Sequence, residues 1–180
     1  MSEAVVAKRY ADALFQLGTE KQAHEEMVEE FRVVKEIFQD NKRLYTFLKH
    51  PRVNNEKKKQ FLDEVFQGMS TDVVNTLKLL VERHRVEIIP FVIDQFRQMV
   101  YDAQGIAEAT VYSVQELSDA EIKELAAVFA KRLGKKEIKL ENKIDPSIIG
   151  GVKLQIGNTI YDGSLHAKLK RIERNIAGAN

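Results

Sequence analysis

The chain has 180 residues, 44% hydrophobic and 31% charged, which suffices for one large domain or two small ones with modest cores. Lys plus Arg (28) against Asp plus Glu (27) leaves a formal charge of +1, so no net field favours nucleic acid or acidic lipid and any such partner needs a local patch. The absence of Cys excludes disulfides, thiol catalysis and thiolate metal sites; MSEAVVAKRYADALF is too polar for a secretory signal, and no apolar run approaches the ~20 residues of a membrane span, so the chain is expected not to insert into a membrane.

Apolar residues three and four apart divide the first hundred residues into about six helices. Ala4 to Leu17 reads as the first, closed by Gly18, and Thr19 with Gln22 has the capping-box spacing that would open a second helix from Glu20 to Gln39, with Met27, Phe31, Val34 and Phe38 on its stripe. A short helix from Lys42 to Lys49 is stopped before Pro51. Asn55 is expected to cap Glu56 to Gln67, with Phe61, Leu62, Val65 and Phe66 inward. Ser70 opens a fifth helix to about His84, and a sixth runs from about Ile89 to Ala103 with Pro90 in its first turn.

Gly105 is the expected joint, because beyond it the period changes from 3.6 to 2. Ala107 to Val114 reads as a strand, and Ser118 with Glu121 makes a capping box for a helix through Leu133, ended by Gly134. Ile138, Leu140, Asn142 and Ile144 then alternate with charged residues. Val152, Leu154 and Ile156 alternate up to Gly157-Asn158, which predicts a hairpin, and Ser164 caps a last helix with Leu165, Leu169, Ile172 and Ile176 on the face expected to cover the sheet. The reading is α+β: a six-helix bundle over residues 1–105 followed by a small β-α-β-β-β-α domain over residues 106–180.

Residues that carry chemistry are sparse. His24, His50, His84 and His166 lack paired ligand spacing, so no metal site is predicted. Asp162 and His166 lie within a turn of each other but have no third ligand or nucleophile, and mark a helix start. Gly150-Gly151 and Gly157 lack the Lys-Ser/Thr of a phosphate loop and lead into a strand, which fits a close-packed turn better than a nucleotide cradle. No catalytic residue and no cofactor is expected. Glu25, Glu26, Glu29 and Glu30 read as a solvated helix face.

Two basic stretches raise a nucleic-acid alternative: Lys57-Lys58-Lys59, and the terminal helix with His166, Lys168, Lys170, Arg171 and Arg174. Without interleaved exposed aromatics the first is weak, and the second fits a solvated rim or a dock for an acidic partner helix. The first helix is more telling. Ala4, Ala7, Ala11, Leu14 and Phe15 make one apolar face, and Val6, Tyr10, Ala13 and Leu17 a second, where a bundle helix needs one. In the fifth helix Val73, Val74, Leu77, Leu80 and Val81 make the core stripe, yet Leu79 stands about 200° from Leu77. The two features predict either deeper burial of the first helix or a groove for a partner's amphipathic helix.

VAKRYADALFQLG, LLVERHRVEIIPFVIDQF and above all KIDPSIIGGVKLQIGNTIYDGSLHAKLKRI carry a resemblance, over the whole chain, to the delta subunit family of the F-type ATP synthase, which includes the mitochondrial oligomycin-sensitivity-conferring protein. Arg83-His84 departs from the smaller or amide residue more usual before Arg85. The resemblance implies a non-catalytic stator connector, monomeric in isolation and present once per complex, peripheral on the cytoplasmic side of the bacterial cell membrane. It implies an N-terminal domain that takes alpha-subunit N-terminal helices, one of them in a groove matched here by Tyr10, Ala13, Leu14, Leu17, Asn75, Leu79 and Glu82. It implies a C-terminal domain that meets the C-terminal ends of b-type stalk subunits, for which the basic residues His166, Lys170, Arg171 and Arg174 are the candidate contacts.

Overall fold

Helices occupy the chain up to Gln104 and strands begin at Ile106 in the computed structural model, which describes residues 3–165 and 167. The chain is α+β and divides between Val100 and Tyr101 into two compact units.

The first unit holds α1 (Glu3–Lys21), α2 (His24–Asp40), α3 (Lys42–Lys49), α4 (Asn55–Val65), α5 (Thr71–Glu82) and, after a 3₁₀ turn at Val86–Ile88, most of α6 (Ile89–Gln104). Its core is built from large side chains excluded from water, among them Met27, Phe31, Leu48, Leu62, Phe66, Leu77, Leu80, Ile89 and Phe96. Phe31 meets Phe96 edge-on at 5.4 Å, the geometry that ring quadrupoles favour.

Several boundaries differ from the sequence reading for identifiable reasons. The first helix does not close at Gly18 but continues to Lys21, and the second starts at His24, not Glu20. Thr19 is no N-cap: its hydroxyl donates back to the Phe15 carbonyl at 2.9 Å inside α1. The helix ends at Gln22, which takes a left-handed φ of 53°, while the Ala23 N–H donates to the Gly18 carbonyl at 3.0 Å. Gly18 is needed for proximity: a Cβ there would lie 2.5 Å from His24 Cδ2. That imidazole stacks on Phe15 at 4.7 Å, and its Nε2 donates to the Phe15 carbonyl at 3.0 Å.

The cap of α4 is Asn54, one residue before the expected Asn55, and its Oδ1 accepts from the Lys57 N–H at 2.9 Å. Val65, expected inward, is partly exposed because α4 ends there and its inward row finishes with Leu62 and Phe66. The helix from Ser70 stops at Glu82, two residues early, with His84 left-handed at φ 56°. Arg85 N–H donates to the Leu80 carbonyl at 2.8 Å and His84 N–H to that of Val81 at 3.0 Å, which closes the orphan carbonyls of the last turn.

In the second unit β1 (Ile106–Ser113), α7 (Asp119–Leu133) and β2 (Glu137–Ile144) form a β-α-β crossover, followed by β3 (Val152–Ile156) and β4 (Thr159–Asp162). The sheet order is β2-β1-β3-β4, with β1 parallel to β2 and the other pairs antiparallel. Alternate residues of β1, namely Ala107, Ala109, Val111 and Ser113, are buried, and α7 packs on that face through Leu125, Ala126, Phe129 and Leu133. Ser118 and Glu121 cap α7 reciprocally as a full capping box. In β2 the expected inward row ends early: Ile138 is buried, but Ile144 is 60% exposed at the sheet's end. Asn142 instead links elements, its Nδ2 donating to the Val111 carbonyl at 3.1 Å and its Oδ1 accepting from Leu117 N–H at 2.8 Å.

The glycine pair forms a tight turn. Gly151 has φ 79°, and a Cβ there would lie 2.8 Å from the Gly163 carbonyl oxygen, so the backbone itself fills the space a side chain would take. Ser164 caps the start of the last helix, accepting from Ala167 N–H at 3.1 Å. Of the face expected to cover the sheet, Leu165 is 48% exposed, and Leu169, Ile172 and Ile176 lie outside the described residues.

Candidate functional site: the face shared by the first and fifth helices

Two contacts at opposite ends fix α1 alongside α5. Lys21, in the last turn of α1, pairs with Asp72 in the first turn of α5 at 2.6 Å. At the other end Glu3 and Val6 of α1 line a surface hollow with His84, Arg85 and Ile88, which follow α5. The two helices therefore run in opposite directions, the end of α1 beside the start of α5 and the start of α1 beside the residues that follow α5.

Along this face Ala13 is exposed and Tyr10 and Leu17 are half-buried on α1, while Asn75, Leu79 and Glu82 are exposed on α5. Leu79 is 42% exposed although its neighbours Leu77 and Leu80 are buried. The doubled apolar face of α1 resolves into one core stripe of Val6, Ala7, Ala11, Leu14 and Gly18, with Ala4 and Ala13 outside it. Leu14, which the family resemblance grouped with the groove, is only 4% exposed and belongs to the core stripe, with Ala7 and Ala11 as its periodicity indicated.

Charge brackets this apolar strip. Glu82 pairs with Lys59 of α4 at 2.8 Å, and the hydrogen bond from that ammonium holds the Glu82 carboxyl below its usual range. Lys21–Asp72 closes the other end. An apolar middle between two ion pairs fits the face of an amphipathic helix, which presents leucine-type anchors at i, i+3, i+4 and i+7.

The same packing removes the nucleic-acid patch. Of the Lys57-Lys58-Lys59 run, Lys58 is 3% exposed and Lys59 is engaged by Glu82, which leaves Lys57 alone outward. Nor is Glu30 part of a solvated acidic face. Its carboxylate accepts from Ser70 N–H at 2.6 Å and from the Ser70 hydroxyl at 2.5 Å, holding the N-terminus of α5. Among the described residues no group of three or more His, Asp or Glu gathers as a metal site requires, and no helix is long and apolar enough to cross a membrane. Of the proposed stalk contacts, His166, Lys170, Arg171 and Arg174 lie outside the described residues.

A helical unit with an exposed leucine on its fifth helix is followed by a small four-stranded mixed-sheet unit capped by one helix. Residues 6–176 match the family described as the ATP synthase delta (OSCP) subunit. The ATP synthase subunit delta of Oceanobacillus iheyensis is 54% identical over 180 residues, covering 100% of this chain and 99% of its own. That of Bacillus subtilis is 44% identical over 180 residues, with coverage of 100% and 99%. A chain in the Toxoplasma gondii mitochondrial ATP synthase hexamer shares the fold at a TM-score of 0.72 and 19% identity, over 95% of this chain and 97% of that one. The chain belongs to the ATP synthase delta (OSCP) subunit family, whose members are non-catalytic subunits of ATP synthase.

Proposed function

We propose that this chain is the stator connector of a proton-translocating F-type ATP synthase. Its six-helix N-terminal domain, residues 1–105, holds the catalytic hexamer through alpha-subunit N-terminal helices, one of them seated between α1 and α5. Its C-terminal domain, residues 106–180, engages the C-terminal ends of the b-type stalk subunits. The connector opposes rotation of the hexamer with the central rotor, so that torque from proton flow drives ATP synthesis. It acts peripherally, on the cytoplasmic side of the bacterial cell membrane, once per complex.

The observation that carries this reading is Leu79: a large apolar side chain, 42% exposed, on a helix whose ends are held by the ion pairs Lys21–Asp72 and Lys59–Glu82. Leu79→Asp tests it. At an exposed position the change shifts stability by under about 0.5 kcal/mol, whereas at an apolar anchor it weakens binding by about 2 kcal/mol or more, some thirtyfold. Calorimetric titration with a synthetic peptide of the cognate alpha-subunit N-terminus, beside a circular-dichroism melt of the same sample, separates the outcomes. Unchanged affinity at unchanged stability removes the groove from the account, and a large fall in melting temperature assigns Leu79 to the core.

A further inference from the structure

A strand at the edge of a sheet leaves the N–H and C=O groups of every second residue without a ladder partner, and β2 is such an edge over 8 residues. Its two sides carry different sets of side chains. Ile138, Leu140 and Asn142 turn to the α7 face, while Glu137, Lys139, Glu141 and Lys143 stand exposed on the other. Among the described residues β2 pairs with β1 alone, and β4, which leads to Ser164, is the opposite edge of the sheet.

The order of these charges matters more than their number. Edges that resist association commonly carry lysines, which repel a second copy. Here acid and base alternate about Leu140, so residues 137–143 are their own electrostatic complement when the strand is reversed. A second copy laid antiparallel, with Leu140 opposite Leu140, sets Glu137 against Lys143 and Lys139 against Glu141, and two-fold symmetry makes each pair twice. Sliding it by two residues one way sets Glu137 against Glu141 and Lys139 against itself; the other way sets Lys139 against Lys143 and Glu141 against itself. A slide of one residue turns the charges to the α7 side, and a parallel copy in register sets like on like throughout. Only the first arrangement satisfies all four residues. Internal contacts leave the outer pair available: Glu137 has no ion-pair partner among the described residues, and Lys143 reaches Glu141 only at 3.5 Å, with side chains 52% and 69% exposed. Lys139 is held over the Tyr101 ring, so Glu137 with Lys143 carries most of the attraction.

We propose that the free chain pairs with a second copy of itself through β2, antiparallel about Leu140, and so joins two four-stranded sheets into one continuous sheet. This departs from the monomeric state that the family resemblance implies, and it does not rest on the role proposed above. A single strand pair covers less than the ~800 Å² per partner of a standard interface, so the dimer is weak and reversible.

Sedimentation equilibrium of the full-length protein at concentrations up to about 1 mM should show a reversible dimer. Glu137→Lys and Lys143→Glu each set like charges against one another at both outer pairs, and each should weaken the dimer about tenfold or more at an unchanged melting temperature. Mixed in equal amounts, the two variants restore opposite charges at both places and should associate about as tightly as the wild type. Hydrogen exchange on the wild type gives an independent reading, since amides of β2 should gain protection as concentration rises while those of β4, the other edge, should not. A monomer at every concentration overturns the proposal. So does a dimer that neither variant weakens, a mixture no tighter than either variant alone, or concentration-dependent protection that spares β2.

Discussion

Gly18 and His84 invert the usual assignment of glycine to helix ends and of larger residues to helix interiors. Gly18 lies inside α1, where alanine would ordinarily stabilise by about 1 kcal/mol. Here a Cβ would meet the His24 ring at 2.5 Å and push it off Phe15. Gly18→Ala should therefore destabilise the wild-type chain, while the same change in a His24→Ala background should stabilise it by about 1 kcal/mol. A double-mutant cycle by urea unfolding reads the reversal of sign, and the same sign in both backgrounds would remove the contact as the reason for glycine. His84 takes a left-handed conformation that costs a non-glycine residue about 1–2 kcal/mol, part of which glycine returns through the freedom of its unfolded chain. His84→Gly is expected to raise stability by about 0.5–1 kcal/mol, seen as a higher urea midpoint at unchanged slope.

At the scale of elements, the same sequence signal had different outcomes according to what else reached the cap. Ser118 and Glu121 form the box their spacing predicts, and hydrogen bonds from the Ser118 hydroxyl and backbone N–H lower the Glu121 carboxyl's pKa. A carboxylate whose pKa falls on folding contributes stability that is complete above its unfolded value of about 4.3 and is lost as pH drops through the lower folded value. The melting temperature of the wild type should thus exceed that of Glu121→Gln at pH 7, and the two should converge as pH falls below about 4; a constant offset would show that the charge plays no part. Ser70 stands at a helix start too, but its hydroxyl goes to Glu30, forty residues earlier, a long-range contact that local spacing does not encode. Thr19 and Gln22 had box spacing by coincidence, because α1 was already helical there. What was legible follows the same division. Alternation in β1, the hairpin, the α7 cap and the burial of Leu14 on the stripe of Ala7 and Ala11 are local and legible in the sequence; the continuation of α1 past Gly18 goes with the His24 ring that seats beside that glycine and on Phe15, a contact that local spacing does not encode. Leu79 was legible because a large apolar residue stood clearly off a complete stripe.

For the molecule as a whole, the change of period at Gly105 and the change of packing partner do not coincide. The division by contacts falls between Val100 and Tyr101, inside α6, because the last turn of that helix is bound to the second unit. Lys139 lies over the Tyr101 ring at 4.7 Å and donates to its hydroxyl at 3.2 Å, Lys135 reaches Asp102 at 3.5 Å, and Lys136 N–H donates to the Gly105 carbonyl at 2.8 Å. A period read from sequence marks where backbone geometry changes, whereas a folding unit is bounded by where contacts change, and a helix can end in the neighbour's core. Two fragments of the second unit separate these boundaries. One begins at Tyr101 and keeps the ring, Asp102 and Gly105; the other begins at Ile106 and loses all three. Tyr101 is 7% exposed, so its loss removes a buried aromatic side chain together with its cation–π and hydrogen-bond partner, an effect of about 2–4 kcal/mol. The fragment from Tyr101 should unfold at a clearly higher urea midpoint than the fragment from Ile106, and Tyr101→Ala in the longer fragment should reproduce most of the difference. Equal midpoints would place the functional boundary at Gly105, where the period changes, and leave the last turn of α6 to the helical unit.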